Sequence, residues 1–121
     1  MTHASSLVIA IAHISCTFNN THISITTTTG CILASSSGGT LGLKGHKRST
    51  SQASIGISKL VALKCYKKGI RSLYVHLKGF GNGRKSCLTG LLLSGKINIL
   101  GLKDVTSIPY NGCKASKKRR V

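Results

Sequence analysis

Three glycines alternate in the stretch Gly79-Phe80-Gly81-Asn82-Gly83, and Arg84 and Lys85 follow at once. A backbone without Cβ atoms can approach an anion closely, and cations beside it neutralise the charge. The same pairing recurs where Gly38, Gly39, Gly42 and Gly45 are interleaved with Lys44, His46, Lys47 and Arg48. A third concentration ends the chain: Lys114, Lys117, Lys118, Arg119 and Arg120. Such a basic run is either solvated or laid along a polyanion. All three stretches point to phosphate binding.

Other chemistries lack their residues. Asp104 is the one acidic side chain against 18 Lys and Arg, for a formal charge of +17. General acid–base catalysis by paired carboxylates is therefore excluded. The glycine loop is no dinucleotide fingerprint, because G-x-G-x-x-G would need glycine where Arg84 stands, and no G-K-[ST] closes a Walker loop. Cys16, Cys31, Cys65, Cys87 and Cys113 show no C-x-x-C and no zinc spacing. They are expected as small buried apolar residues, which suits a reducing compartment. No spacing supports a thiol enzyme, and His13, His22 and His76 are expected to pack or hydrogen-bond. Neither metal nor cofactor is implied.

A domain with this imbalance repels itself and needs an anionic partner. Nucleic acid is the first candidate and an anionic membrane the second. The apolar run Leu7–Ala12 is far shorter than the roughly 20 residues a membrane helix needs. The helix expected over Gln52–Lys68 is too rich in serine and glycine for a membrane-active one. The membrane reading is set aside.

The elements that must position these cations follow from periodicity. At 121 residues one domain is expected. Residues 1–43 carry no Lys, Arg, Asp or Glu and read as scaffold. Leu7–Cys16 reads as a strand buried on both faces. After a turn at residues 18–21, His22–Thr28 alternates, and Cys31–Ser35 is a third strand, giving an antiparallel meander. Ser36–Ser51 is a loop. The helix at Gln52–Lys68 buries Ala53, Ile57, Leu60, Val61 and Cys65, and Gly69 closes it. Arg71–Lys78 alternates again, with Leu73, Val75 and Leu77 on one side. A second helix, Arg84–Ser94, carries Leu88, Leu91 and Leu92. Cations in its first turn oppose the helix dipole, which makes sense if a phosphate sits between them. Lys96–Lys103 is the last strand. The order βββαβαβ predicts an α/β fold with a mixed five-stranded sheet and two main helices. Residues 1–105 form the domain and residues 106–121 an extended basic tail. Pro109 and Asn111-Gly112 bend the chain where that tail departs. The same Asn-Gly step is open to succinimide formation, because glycine leaves the attacking nitrogen unhindered.

Certain combinations are less generic. They are Ala12-His13-Ile14 with Thr17-Phe18-Asn19-Asn20-Thr21, and Gly42-Leu43-Lys44-Gly45 with Lys47-Arg48-Ser49-Thr50. To these add Lys78-Gly79-x-Gly81-x-Gly83-Arg84, Asp104-Val105-Thr106, Ile108-Pro109, Asn111-Gly112-Cys113 and Lys117-Lys118-Arg119-Arg120-Val121. Over about residues 10 to 121 the chain resembles the small-subunit ribosomal protein eleven family, the protein of the ribosomal platform.

The resemblance implies a ribonuclease H-like fold and a structural role in the small ribosomal subunit, supporting assembly and translation. It implies contact with platform rRNA near the mRNA exit side. The neighbours implied are a subset of small ribosomal proteins six, eighteen and twenty-one, with mRNA passing close by. The RNA-binding residues it implies are Asn19, Asn20, Lys44, His46, Lys47, Arg48, Lys78, Gly79, Gly81, Gly83, Arg84 and Lys85. In the tail they are Asn111, Lys114, Lys117, Lys118, Arg119 and Arg120. Nucleases of this fold hold two metals with several carboxylates, and Asp104 alone cannot, so no enzyme is expected. The alternative reading is a non-ribosomal basic RNA-binding protein.

The departures carry information. Ser51-Gln52-Ala53-Ser54-Ile55 stands where bacterial and plastid members have Pro, an aromatic and Ala-Ala-Gln. Phe80 and Asn82 replace prolines, Lys85 replaces an acidic residue, and Lys114-Ala115-Ser116 replaces Arg-Pro-Pro. Such drift suits an organellar ribosome. The mitochondrion is expected, with the plastid as alternative, because plastid members usually keep the proline-rich forms.

Overall fold

The computed structural model describes residues 9–121 except 82 and 96, and omits the side chains of residues 46 and 49. Leu7 and Val8 of the expected first strand, Lys96 of the expected last one, and the His46 side chain lie outside the described residues.

The elements are β1 (Ile9–Cys16), β2 (Thr21–Thr26), β3 (Ile32–Ser37), α1 (Ser51–Lys67), β4 (Ser72–Lys78), α2 (Gly83–Leu93) and β5 (Asn98–Asp104), with a short 3-10 turn at Gly45–Ser49. The sheet order is β3-β2-β1-β4-β5. β1 pairs antiparallel with β2, and β2 with β3. β1 pairs parallel with β4, and β4 with β5. Tight turns can join only antiparallel neighbours, so the parallel pairs need the two helical crossovers. This is the expected ribonuclease H-like α/β fold in the order βββαβαβ.

Local chemistry explains the ends of α1. Thr50 Oγ1 accepts from Ala53 N at 3.2 Å, an N-cap bond. At the other end Gly69 has φ +89°. Ile70 N donates to Cys65 O and Gly69 N to Tyr66 O, the paired bonds that close a helix on a left-handed glycine. Ile70 is fully buried beyond it.

The core lies between one face of the sheet and the two helices. Ile14, Ile23, Ile25, Leu73 and Val75 meet Ile57, Val61 and Leu91 there. β1 differs from expectation: Ala10, Ala12, Ile14 and Cys16 are buried, whereas Ile9 and His13 are exposed. Both helices cover the same face, so the strand alternates. On the open face His13 Nε2 and Thr26 Oγ1 lie 3.1 Å apart, and His13 and His76 meet edge to face. Burial, then the neighbouring His76, lowers the His13 pKa.

α2 also packs differently. Its buried positions are Gly83, Cys87, Gly90 and Leu91, while Leu92 is exposed. A Cβ at Gly90 would lie 2.7 Å from Ser58 Cβ and 2.9 Å from Ile55 O. Glycine lets α1 and α2 touch, and that turns Leu92 outward. Cys16, Cys65 and Cys87 are buried, as expected of isolated cysteines; Cys31 and Cys113 are exposed. Those two sit outside the sheet and helices, where no layer covers them.

Candidate nucleic-acid interface

The topology directs β1, β3, β4 and β5 toward one end of the sheet, and α1 and α2 begin there. The turn after β1, the segment after β3, the glycine loop after β4 and the tail after β5 therefore leave from a common edge. In open α/β sheets this edge, beyond the carboxyl ends of the strands, is where ligands bind. Two helix N-termini also lie at it, and the dipole of each favours negative charge.

The glycine loop is held from several sides. Gly79, at φ +91°, donates its N–H to Thr106 Oγ1 at 3.0 Å. A Cβ on Gly79 would lie 2.0 Å from Cys16 O, and one on Gly81 2.1 Å from Thr17 O. One on Gly83 would meet Ser54 Oγ and Thr21 Oγ1, each at 2.3 Å. The alternating glycines thus let the loop lie directly on the end of β1 and on α1. Gly81 and Gly83 are buried, so their lack of side chains serves packing first.

Arg84 locks the same loop. Its Nη1 donates to Gly79 O at 2.8 Å and its Nη2 to Asp104 Oδ2 at 2.9 Å. Its guanidinium also lies 5.8 Å from the Phe80 ring centroid. Asp104 Oδ1 in turn accepts from Thr106 N and Thr106 Oγ1. Those two bonds, then Arg84, hold the Asp104 pKa down at about 2. The anion beside the first turn of α2 is therefore this chain's own carboxylate. Lys78 and Lys85 flank the loop and are exposed.

The turn after β1 is equally organised. Thr17 Oγ1 donates to Asn20 O and accepts from Asn20 N. Asn20 Oδ1 accepts from Thr21 N at 2.8 Å and from Gly38 N at 3.2 Å, tying this turn to the segment after β3. A Cβ on Gly38 would clash with Asn20 Oδ1 and Arg48 Cβ, at 2.7 and 2.8 Å. Arg48 Nε donates to Gly45 O at 3.2 Å and shapes the short turn that presents Lys44 and Lys47, both exposed. Asn19 is exposed at the tip of its turn.

The structure thus brings together Asn19, Asn20, Lys44, Lys47, Arg48, Lys78, Gly79, Gly81, Gly83, Arg84 and Lys85 at the strand ends. It does not bring Lys114, Lys117, Lys118, Arg119 and Arg120 to them. Residues 107–121 are all exposed, and among the described residues no helix or strand follows Asp104. Asn111 has φ +65°, and a Cβ on Gly112 would touch Pro109, so the expected bend is present.

Sequence reasoning passed over the aromatics. Phe18 is 76% exposed, Phe80 71% and Tyr110 99%. They stand in the turn, the glycine loop and the start of the tail, and open rings are platforms for stacked bases. The signal was present: each sits beside Asn, Gly or Pro rather than in an apolar run.

Below this surface the Cys87 thiol donates to Ser54 O at 4.0 Å, and the Cys16 thiol interacts with it. The interaction between the two thiols lowers the Cys16 pKa and, with burial, raises that of Cys87. Among the described residues, no group of three His, Cys, Asp or Glu could hold a metal. The arrangement presents exposed cations and aromatic rings at one end of the sheet.

The family model described as Ribosomal protein S11 matches residues 10–120. Small ribosomal subunit protein uS11c of Chlorella vulgaris is 43% identical over 115 residues, covering 95% of this chain and 88% of that protein. Small ribosomal subunit protein uS11 of Rhodopseudomonas palustris (strain HaA2) is 45% identical over 111 residues, covering 92% and 85%. The uS11c protein of Oltmannsiellopsis viridis is 45% identical over the same length and coverage. The family model spans nearly every element described above, from β1 through the glycine loop to the basic tail, and the chain belongs to the ribosomal protein S11 family.

Proposed function

We propose that this chain is a structural, non-enzymatic constituent of the small ribosomal subunit that binds rRNA at the strand-end surface. The observation that carries the reading is the convergence of four connections at one end of the sheet. Asn19, Asn20, Lys44, His46, Lys47, Arg48, Lys78, Gly79, Gly81, Gly83, Arg84 and Lys85 form the folded part of the interface. Residues 106–121 are the tail, in which Asn111, Lys114, Lys117, Lys118, Arg119 and Arg120 follow the RNA backbone. Phosphate contacts set affinity, and the shape of the folded part sets register. Arg84 retains further N–H donors beyond those given to Gly79 and Asp104, so it can still meet a phosphate.

The finer placement is the platform, near the mRNA exit side, beside a subset of proteins six, eighteen and twenty-one. The chain's organelle is the mitochondrion in this reading, supported by the loss of prolines from the glycine loop and tail. The similar relatives are chloroplast and bacterial proteins, which keeps the plastid as the alternative. Binding of platform rRNA fragments, measured against unrelated RNA of equal length over a salt series, tests the function. Preference for the platform fragment is expected. Equal affinity for both RNAs would favour a general basic RNA-binding protein.

A further inference from the structure

A second surface lies away from the strand ends, between the C-terminal halves of the helices. The helices touch at Gly90 and Ser58. Beyond that point α2 stops at Leu93 while α1 runs on to Lys67. The step leaves a cavity of about 330 Å³ lined by Lys59, Leu60, Leu63, Leu93 and Ser94. Leu63 is 41% exposed and Leu93 64%, on opposite walls. Along α1, exposed Lys59 and Lys67 stand one turn to either side of Leu63. Asp104 is the only acidic residue in the chain, and Arg84 and Thr106 hold it at the other end of the sheet.

Charge and polarity together select the occupant. RNA phosphates would neutralise the lysines but leave the leucines in water. A second copy would bring the same lysines and the same +17 charge. A segment with apolar side chains at helical spacing and flanking carboxylates satisfies both features. We propose that this groove docks an acidic amphipathic segment of a protein partner, with Leu60, Leu63 and Leu93 as its floor and Lys59 and Lys67 as its rim. The ribosomal reading enters only in making that partner a neighbour in the small subunit.

Two measurements test this. In the first, a benzophenone amino acid at Leu63 or Leu93 of the full chain is photo-activated in purified small subunits. Co-sedimentation of the chain with the subunit is read separately and tests the ribosomal assignment. A cross-link sequenced to an acidic, apolar-patterned protein segment is expected. A cross-link to rRNA, to a second copy or to a basic segment, or none in particles that hold the chain, overturns the proposal. The second measurement needs no ribosome. It uses a labelled synthetic helix with leucines at i, i+3, i+4 and i+7 and flanking glutamates. The native chain should bind it at least tenfold more tightly than the Leu63→Ser/Leu93→Ser chain, with rRNA binding the same for both. Equal affinity of the two chains for the peptide overturns the proposal whatever the particle experiment gives.

Discussion

Arg84, at the end of residues 79–84, and the five cations of residues 107–121 stand under different constraint. The loop is tied by Arg84 to Gly79 and Asp104 and by Gly79 to Thr106, and it rests on Cys16 and Thr17. The tail is exposed throughout. Fixing a backbone residue costs roughly 1–2 kcal/mol. For the loop that cost is met during folding; for the tail the proposed RNA contact would have to meet it. The comparison teaches that a cation's role depends on how firmly the fold holds it. In the proposed function the preformed loop defines where RNA sits and the tail supplies attraction along the RNA's own path.

The largest expected effect is on the tail's side of this comparison. Removing Lys114–Val121 deletes five cations, and each lost phosphate contact flattens the log–log salt dependence by about 0.7–0.9. RNA affinity should fall broadly while thermal unfolding is unchanged. An unaltered salt slope in a filter-binding series would show that the tail is merely solvated.

Gly81→Ala should do the reverse. Its Cβ would lie 2.1 Å from a backbone oxygen that cannot move aside cheaply. A loss of about 3 kcal/mol in chemical denaturation is expected, within the usual range for overpacking. A variant as stable as the parent would mean that the loop is not seated as described.

Arg84→Ala should be smaller and should split between both readouts. It removes two charge-assisted bonds within the protein and a candidate phosphate donor, worth about 1–3 kcal/mol in RNA affinity. If RNA affinity holds and only stability falls, Arg84 belongs wholly to the fold.

The smallest effect concerns Asp104. Its folded pKa, about 2, lies below its ordinary 3.8. The stabilisation is therefore present above pH 3.8 and is lost as pH falls through 2. Asp104→Asn should slightly lower the melting temperature at pH 7 and abolish that acid-dependent loss. Parallel melting curves of the two chains from pH 5 to 2 would contradict the linkage.

Much of the fold was legible because periodicity reports burial directly. The alternation of Leu73, Val75 and Leu77 and the closing Gly69 were local signals that tertiary packing kept. The faces were less legible. An apolar run such as Ile9–Ala12 reads the same whether one or two layers cover it. Nor could α2 be oriented from leucines alone, since Gly90 won the contact with Ser58 by its small size.

The sequence by itself called for an anionic partner, since +17 of charge with one carboxylate leaves the cations without partners inside the chain. It also determined the element order, written in local pattern. Only the tertiary structure decided that Asn20 would bond Gly38, that Arg84 would turn to Asp104, and that four distant loops would meet at one edge. Those are long-range pairings set by sheet register and helix packing. No residue's immediate neighbours in the chain encode them.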